Sequence, residues 1–357
     1  MGEGTPGTAT LSGVPGSNAV VRFLRWLRAH PILCLALLTP GIPEYLSTSS
    51  AVIRLFTDPT FFFFQLAINV GQYTGGALLI REAMIRWRKG WGSVVLLALA
   101  YGITEEGLGD NTLFNSSNGR DGTLGSFGHF AGVNWVWAAG VLAFHVIYSI
   151  GIPLIALRLA LPETAGRPLL GRRGIAAAFA SLIGATGVET AFVYAEFAFW
   201  MGTVLFVGCL VVITALVLAA RRLPSGAWTP LLSHATGRPW QFALIGFACF
   251  PAVFAFEDIL PAVAPAIVVV AVLLVLFGVL FEWVRRHVGQ VENEYLVVDL
   301  IAGFVLWQCV FGVLLTLPIP YTLPLVALAV VFLLRLRRRY PTPHDQKRGP
   351  VAHARAV

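Results

Sequence analysis

Charged residues are scarce in this sequence. Asp, Glu, Lys and Arg make up 12% of the 357 residues, whereas a soluble domain carries about 25%. Hydrophobic residues make up 57%, and the mean hydropathy is +0.77. So few charged residues cannot cover the surface of a soluble globule. We therefore predict an all-α, polytopic integral membrane helix bundle. The net charge of +7 does not indicate nucleic-acid binding, because the basic residues form short clusters between apolar runs.

Motifs for metal and redox chemistry are also lacking. The four cysteines lie singly in different apolar runs, with no Cys-x-x-Cys and no His at metal-ligand spacing. We interpret them as buried apolar side chains, and the sequence predicts no bound metal and no cofactor. An Asp-rich D-D-x-x-D motif is absent, which argues against a Mg²⁺-dependent prenyltransferase.

Apolar runs long enough to cross a bilayer are abundant. A span needs about 20 apolar residues, and reading the runs between charged clusters predicts about ten. The predicted spans are 31–48, 60–80, 92–109, 134–157, 174–195, 199–219, 241–260, 263–283, 297–316 and 321–335. Pro40 and Pro43 interrupt the first, which could be a broken or re-entrant helix. We expect a single transmembrane domain, 31–339, between a disordered basic segment, 1–30, and a polar tail, 340–357.

The basic residues indicate the orientation. With both termini in the cytoplasm of a multi-pass protein of the cell membrane, all of the 25 Lys and Arg residues except Arg54 and Arg120 fall on the cytoplasmic side. This agrees with the positive-inside rule. The one long outer loop, 109–133, is rich in Gly, Asn and Ser, and it could fold back as a lid over a site.

Ionisable residues within spans are the first candidates for chemistry, because burying them is costly. Glu44, Glu105, Glu189 and Glu257 each lie about 20–24 Å from the cytoplasmic start of their span, at 1.5 Å per residue. All four therefore fall in the outer third of the membrane. Burial and mutual repulsion favour a protonated acid, which is what a general acid requires.

We predict five catalytic residues on this basis: Glu105, Glu106, His145, Glu189 and Glu257. Glu105 and Glu106 are adjacent, and at most one of them should face a given cavity, since neighbours on a helix point about 100° apart. His145 lies near the middle of the following span and could relay protons, with Ser149 one turn further along. The alternative to a catalytic role is that the acids are solvated among the lipid headgroups and that the histidine is a packed, hydrogen-bonded core residue.

Polar and aromatic side chains near these acids form the predicted substrate-binding set. Its members are Glu44, Tyr101, Asp110, Tyr148, Tyr194 and Phe254. Aromatic faces can stabilise a cation, although phenylalanine is also common as plain packing in membrane helices. The expected partners are membrane lipid and a hydrophobic small molecule; the sequence does not indicate an oligomeric state.

Three stretches together resemble an uncharacterised family of bacterial polytopic membrane proteins. They are Gly76–Glu82 (GALLIRE), Tyr101–Leu108 (YGITEEGL) and Gly132–Trp137 (GVNWVW). The likeness covers about residues 40 to 165 and implies a membrane protein without implying an activity.

Two enzyme families are more distantly similar. In the CAAX-type glutamic intramembrane proteases, a Glu pair and later helical His motifs would correspond to Glu105, Glu106 and His145. The chain departs from that pattern at Asp110, where the family has Arg, and in lacking an evident second intramembrane His. Integral-membrane terpene cyclases are similar in style, being helical, aromatic-rich and dependent on embedded acids.

Four functions remain open from the sequence. The preferred one is an enzyme in which a buried Glu or Asp protonates an isoprenoid, specifically in terpene cyclisation. The others are a proton- or cation-coupled transporter, a CAAX-type glutamic protease and a non-catalytic scaffold. No inverted repeat or matched pair of broken helices favours the transporter.

Overall fold

The computed structural model describes residues 26, 28–47, 49–116, 126–228, 238–287, 294–317 and 321–342, most of them helical. The α-helices, in chain order, are α1 Pro31–Pro40, α2 Ser49–Thr57, α3 Pro59–Asn69, α4 Gly75–Arg86, α5 Trp91–Gly102, α6 Trp135–Phe144, α7 Ile152–Ala160, α8 Arg172–Phe197, α9 Thr203–Arg222, α10 Pro239–Ile259, α11 Ala266–His287, α12 Glu294–Leu315 and α13 Leu323–Arg339. A short antiparallel hairpin joins β1 His129–Phe130 to β2 Val133–Asn134.

Six of the helices described are long and apolar enough to cross a membrane. They are Trp135–Ala160, Arg172–Phe197, Thr203–Arg222, Pro239–Ala262, Ala266–His287 and Glu294–Leu315. The predicted all-α membrane fold is therefore confirmed. Helices also occupy the four other predicted spans, but these are shorter or more polar; α13, for example, has 17 residues.

Four π-helical segments lie within the helices of the described part. Gly41–Tyr45 follows α1, Val70–Thr74 joins α3 to α4, Ile103–Gly109 continues α5, and His145–Gly151 joins α6 to α7. Backbone hydrogen bonds in these segments join residues five apart, which widens the helical turn. Asp110 N–H, for example, donates to the Glu105 carbonyl at 2.8 Å. Each segment contains glycine, which eases the irregular backbone.

The 109–133 loop and the segment before α3 add local structure. A backbone hydrogen bond from Asn134 N–H to Leu113 O, at 2.8 Å, joins the two ends of this loop. Residues 117–125, including Arg120, lie outside the described residues, so a lid remains a prediction. The sequence predicted no span between 49 and 59, and the structure places the short helix α2 there.

Helices α10 and α12 cross at close range. A Cβ atom at Gly246 would overlap the Leu300 carbonyl oxygen, and one at Gly303 would overlap the Ala243 carbonyl oxygen. Small residues let membrane helices approach in this way. The crossing is flanked by a buried aromatic cluster in which Tyr148 packs against Phe250, with ring centroids 4.8 Å apart.

Basic side chains connect helix ends at the end of the bundle away from Glu105 and Glu106. Arg81 donates to the carbonyls of Thr164 at 2.7 Å and Arg167 at 3.1 Å. Lys89 donates to Leu223 O at 2.5 Å. These bonds bring together segments that the sequence assigns to the same side of the membrane.

Candidate functional site

The centre of the site is a histidine flanked by two carboxylates. His145 Nε2 lies 2.7 Å from Glu105 Oε2 and 2.8 Å from Glu106 Oε1. All three residues are buried, at 1%, 6% and 7% exposure. A single imidazole nitrogen therefore serves two acids inside the bundle, a geometry suited to sharing or transferring a proton.

Hydroxyl groups contact the side-chain atoms of this centre that do not take part in the histidine–carboxylate contacts. Ser149 Oγ lies 2.9 Å from His145 Nδ1. The Tyr73 hydroxyl donates to Glu44 Oε1 at 2.6 Å, and its oxygen also lies 3.3 Å from Glu105 Oε1. Thr112 donates to Glu106 Oε2. These bonds fix the orientation of both carboxylates and of the imidazole ring.

Every member of the centre comes from a π-helical segment. Ile103–Gly109 carries both glutamates, and His145–Gly151 carries the histidine. Tyr73 and Glu44 lie in the other two π-helical segments. Such segments occur frequently at functional sites, because one extra residue per turn re-aims the side chains.

A cavity of about 1100 Å³ lies beside the centre. Its polar wall includes Glu44, Glu106, Asp110, His145, Glu189 and Glu257. Its aromatic wall includes Trp137, Phe144, Phe250, Phe254, Trp307 and Phe311. A cavity of this size and lining suits a largely apolar molecule held against a few polar groups.

The structure brings most of the predicted catalytic residues to this cavity. Glu106, His145, Glu189 and Glu257 all line it, whereas Glu105 reaches it only through His145. Glu189 Oε2 accepts a hydrogen bond from Gln72 Nε2 at 2.5 Å. Glu257 is 2% exposed, and Gly140 leaves the room for its carboxylate, because a Cβ there would overlap Glu257 Oε1.

The predicted substrate-binding residues divide into two groups. Glu44, Asp110 and Phe254 line the cavity. Tyr101 lies behind the centre, its ring centroid 5.8 Å from that of His145. Tyr148 is buried in the aromatic cluster, and its hydroxyl donates to Phe304 O at 3.3 Å. Tyr194 is 59% exposed on α8, outside the cavity lining.

Sequence reasoning missed several polar residues of the site. Tyr73 and Gln72 hold carboxylates, and Arg54 lines the cavity from α2 with its guanidinium 4.1 Å from the Phe61 ring centroid. Gln308 lines it from α12, and its Nε2 finds no hydrogen-bond partner among the described residues. Uncharged polar residues within the predicted spans 60–80 and 297–316 were the signal for three of these.

The same three side chains offer atoms suited to a metal ion. Glu105, Glu106 and His145 each present one ligand atom, and these atoms lie within 4.8 Å of one another. Sequence analysis did not predict this grouping, because His145 is 39 residues from Glu106 in the chain.

A model of an uncharacterized membrane protein family matches residues 33–344. Because the match covers most of the chain, this protein belongs to that family, as the three sequence stretches had indicated. No curated protein and no solved structure matches the chain.

Proposed function

We propose that this protein is a membrane-embedded enzyme that transfers a proton to a hydrophobic substrate. The observation that carries the proposal is the contact of one buried imidazole nitrogen with two carboxylates, at 2.7 and 2.8 Å, in the wall of an aromatic cavity. A structural histidine needs a single partner for that nitrogen. Two acids on one nitrogen keep a proton shared within a site from which bulk water is largely excluded.

Glu106 is the donor to the substrate in this proposal. Among the described residues, Glu106 lines the cavity and Glu105 does not. Glu105 and His145 then act behind Glu106, supplying and receiving its proton. The Tyr73 hydroxyl extends this hydrogen-bonded series to Glu44, which also lines the cavity.

The specific reaction that we propose is cyclisation of an isoprenoid. Protonation of a carbon–carbon double bond or an epoxide produces a carbocation, and an internal double bond then attacks it to close a ring. Loss of a proton from the cyclised cation completes the reaction, so that an alkene substrate gives an isomeric product. The aromatic wall supports this proposal, because ring faces stabilise cations by about 0.5–2 kcal/mol each.

Isotope incorporation tests this reaction directly. The full-length protein in lipid vesicles is incubated in D₂O with farnesol, geranylgeraniol and their terminal epoxides, and the products are examined by mass spectrometry. We expect a cyclised isomer of at least one probe. An alkene is protonated on carbon, so its product carries one deuterium on carbon, whereas an epoxide is protonated on oxygen and its product carries deuterium only in an exchangeable hydroxyl. Recovery of all four probes unchanged and without deuterium would contradict the cyclisation proposal.

The glutamic-protease alternative draws on the same contact, since a Glu pair beside a helical histidine resembles that family. Against it, His145 is the one histidine at the centre among the residues described; His129, for example, bonds to Phe114 O instead. Cleavage of a prenylated CAAX peptide by the same vesicles, with no cyclised isomer of any probe, would favour the protease. Proton-driven uptake without any product would favour a transporter.

We also propose ten membrane spans, with both termini in the cytoplasm of a cell-membrane protein. The helices at all ten predicted positions support the count. The bonds from Arg81 to Thr164, from Lys89 to Leu223 and from Arg339 to Ala160 support the orientation. They hold the segments predicted to be cytoplasmic at one end of the bundle, away from the cavity.

A further inference from the structure

Three ligand-type atoms converge in the buried centre. Glu105 Oε2, Glu106 Oε1 and His145 Nε2 lie within 4.8 Å of one another. We propose that they bind a divalent transition-metal cation, with Zn²⁺ as the first candidate. The inference concerns the same site in an alternative state, because the ion would replace the proton that His145 shares with the two acids. It rests on the proposed function only for the ion's chemical use. Binding itself can be measured without turnover.

A hydroxyl group engages the side-chain atom of each residue that does not face the other two. Ser149 engages His145 Nδ1, Tyr73 engages Glu105 Oε1, and Thr112 engages Glu106 Oε2. Histidines that bind metals almost always have their other ring nitrogen bonded in this way, and ligating carboxylates are hydrogen-bonded as well. The remaining atoms, Nε2 and one oxygen from each acid, are the converging ones.

The distances are close to those of a coordination sphere. Ligands at 2.0–2.2 Å from a tetrahedral Zn²⁺ lie about 3.3–3.6 Å from one another. The nitrogen now lies 2.7 and 2.8 Å from the two oxygens. Small rotations that lengthen these two nitrogen–oxygen distances by about 0.6 Å would bring them into that range.

Charge also favours a cation at this point. Ionised Glu105 and Glu106 beside a neutral imidazole carry two negative charges in a buried position, and a divalent ion neutralises them. Arg54 is the one Lys or Arg among the described cavity-lining residues, against the acids Glu44, Asp110, Glu189 and Glu257. Cations are therefore attracted to this cavity.

The ligand types select the class of ion. Mg²⁺ and Ca²⁺ bind oxygen ligands, whereas imidazole together with carboxylate suits Zn²⁺ and related transition metals. A Zn²⁺ held by three protein ligands retains a fourth position. Because Glu106 and His145 line the cavity, that position would be reached from the cavity.

Metal content after a zinc challenge tests the inference. Tag-free, full-length protein in detergent is stripped with a chelator, exposed to ZnCl₂, desalted and measured by mass spectrometry for zinc. We expect about one ion per chain for the wild type, and loss of that ion in Glu105→Gln and His145→Gln. Glu257→Gln is the matched control, because it removes a carboxylate from the same cavity and should retain zinc. MgCl₂ in place of zinc should leave no bound ion.

A second pair of variants keeps all three proposed ligands, so that weaker zinc binding can be told apart from misfolding. Ser149→Ala should raise the dissociation constant for Zn²⁺ by about 10- to 100-fold, as removal of such supporting bonds typically does. Ser93→Ala removes a hydroxyl that is equally buried but bonds to Ala220 O instead, and it should leave the constant unchanged.

Two results would overturn the inference. One is wild-type protein that retains no zinc above background. The other is equal retention by wild type, Glu105→Gln and His145→Gln, which would place the ion elsewhere. Either result leaves the proposed proton transfer open to its own test, since product formation by chelator-treated protein is measured separately.

Discussion

At the scale of single residues, Arg81 and Glu82 form a buried ion pair at the end of α4. Their side chains are 6% and 3% exposed, and the closest atoms are 3.4 Å apart. Glu82 also accepts bonds from the backbone N–H groups of Leu169 and Leu170. The pair therefore fixes the connection between α7 and α8, which gives a structural role to part of the GALLIRE stretch.

Replacing Arg81 should destabilise the protein. Arg81→Gln leaves the Thr164 and Arg167 carbonyls without their donor and removes one of two cations beside Glu82, since Arg86 Nε remains 2.9 Å from that carboxylate. We expect a loss of about 1–3 kcal/mol in stability, because buried polar groups lose their hydrogen-bond partners. Unfolding in mixed micelles of increasing SDS content measures the loss. Arg88→Gln is the control, because Arg88 is exposed and its loss should change stability by less than about 0.5 kcal/mol. Equal effects of the two substitutions would contradict this role for Arg81.

The sequence was a good guide to which residues are buried acids but a poor guide to their partners. Depth along each span placed Glu105, Glu189 and Glu257 at one level, and all three contribute to one site or its wall. It could not show that Glu105 and Glu106 share His145. On a regular α-helix adjacent side chains diverge by about 100°, and the π-helical turn that changes their directions has no clear sequence signal.

At the scale of helices, six of the ten predicted runs coincide with described helices that are long and apolar enough to cross a membrane, because long apolar runs between charged clusters are the strongest sequence signal of such helices. Helix α2 was not predicted, since its apolar residues are too few for a span. It is nevertheless the element that brings Arg54 to the cavity.

The α10–α12 crossing offers a test at this scale. Gly303→Ala places a Cβ atom against the Ala243 carbonyl oxygen, so the helices must separate. We expect a loss of about 1–3 kcal/mol in stability, as for other overpacked sites. A matched change, Gly278→Ala on α11, meets nothing within 4 Å and should be neutral or slightly stabilising. The same SDS titration compares them, and an unaffected Gly303→Ala would show that the crossing is looser than described.

At the scale of the whole molecule, the orientation can be tested in intact cells. Single cysteines are introduced at positions 120, 172 and 222 of a variant lacking the four native cysteines, and an impermeant maleimide is added outside. We expect labelling at position 120 only, because Arg172 and Arg222 belong to cytoplasmic segments in the ten-span topology. Labelling of position 172 before lysis would rule that topology out.

The proposed chemistry depends on the bundle as a whole, because four separate segments supply its hydrogen-bonded residues. Glu44 follows α1, Tyr73 lies between α3 and α4, the two glutamates follow α5, and His145 lies between α6 and α7. The cavity adds walls from α8, α10 and α12. Proton transfer in such a site would require that the acid facing the cavity carries a transferable proton, while its size and hydrogen bonding serve mainly to hold it in place.

Turnover of Glu106→Gln, measured as cyclised isomer formed per unit time, tests this requirement. The amide preserves the size of the side chain but cannot donate the proton, and general acids typically contribute 10²- to 10⁴-fold in rate. We expect turnover to fall at least about a hundredfold, with normal expression and detergent stability and with partial activity in Glu106→Asp. Wild-type turnover by Glu106→Gln would contradict proton transfer from this residue.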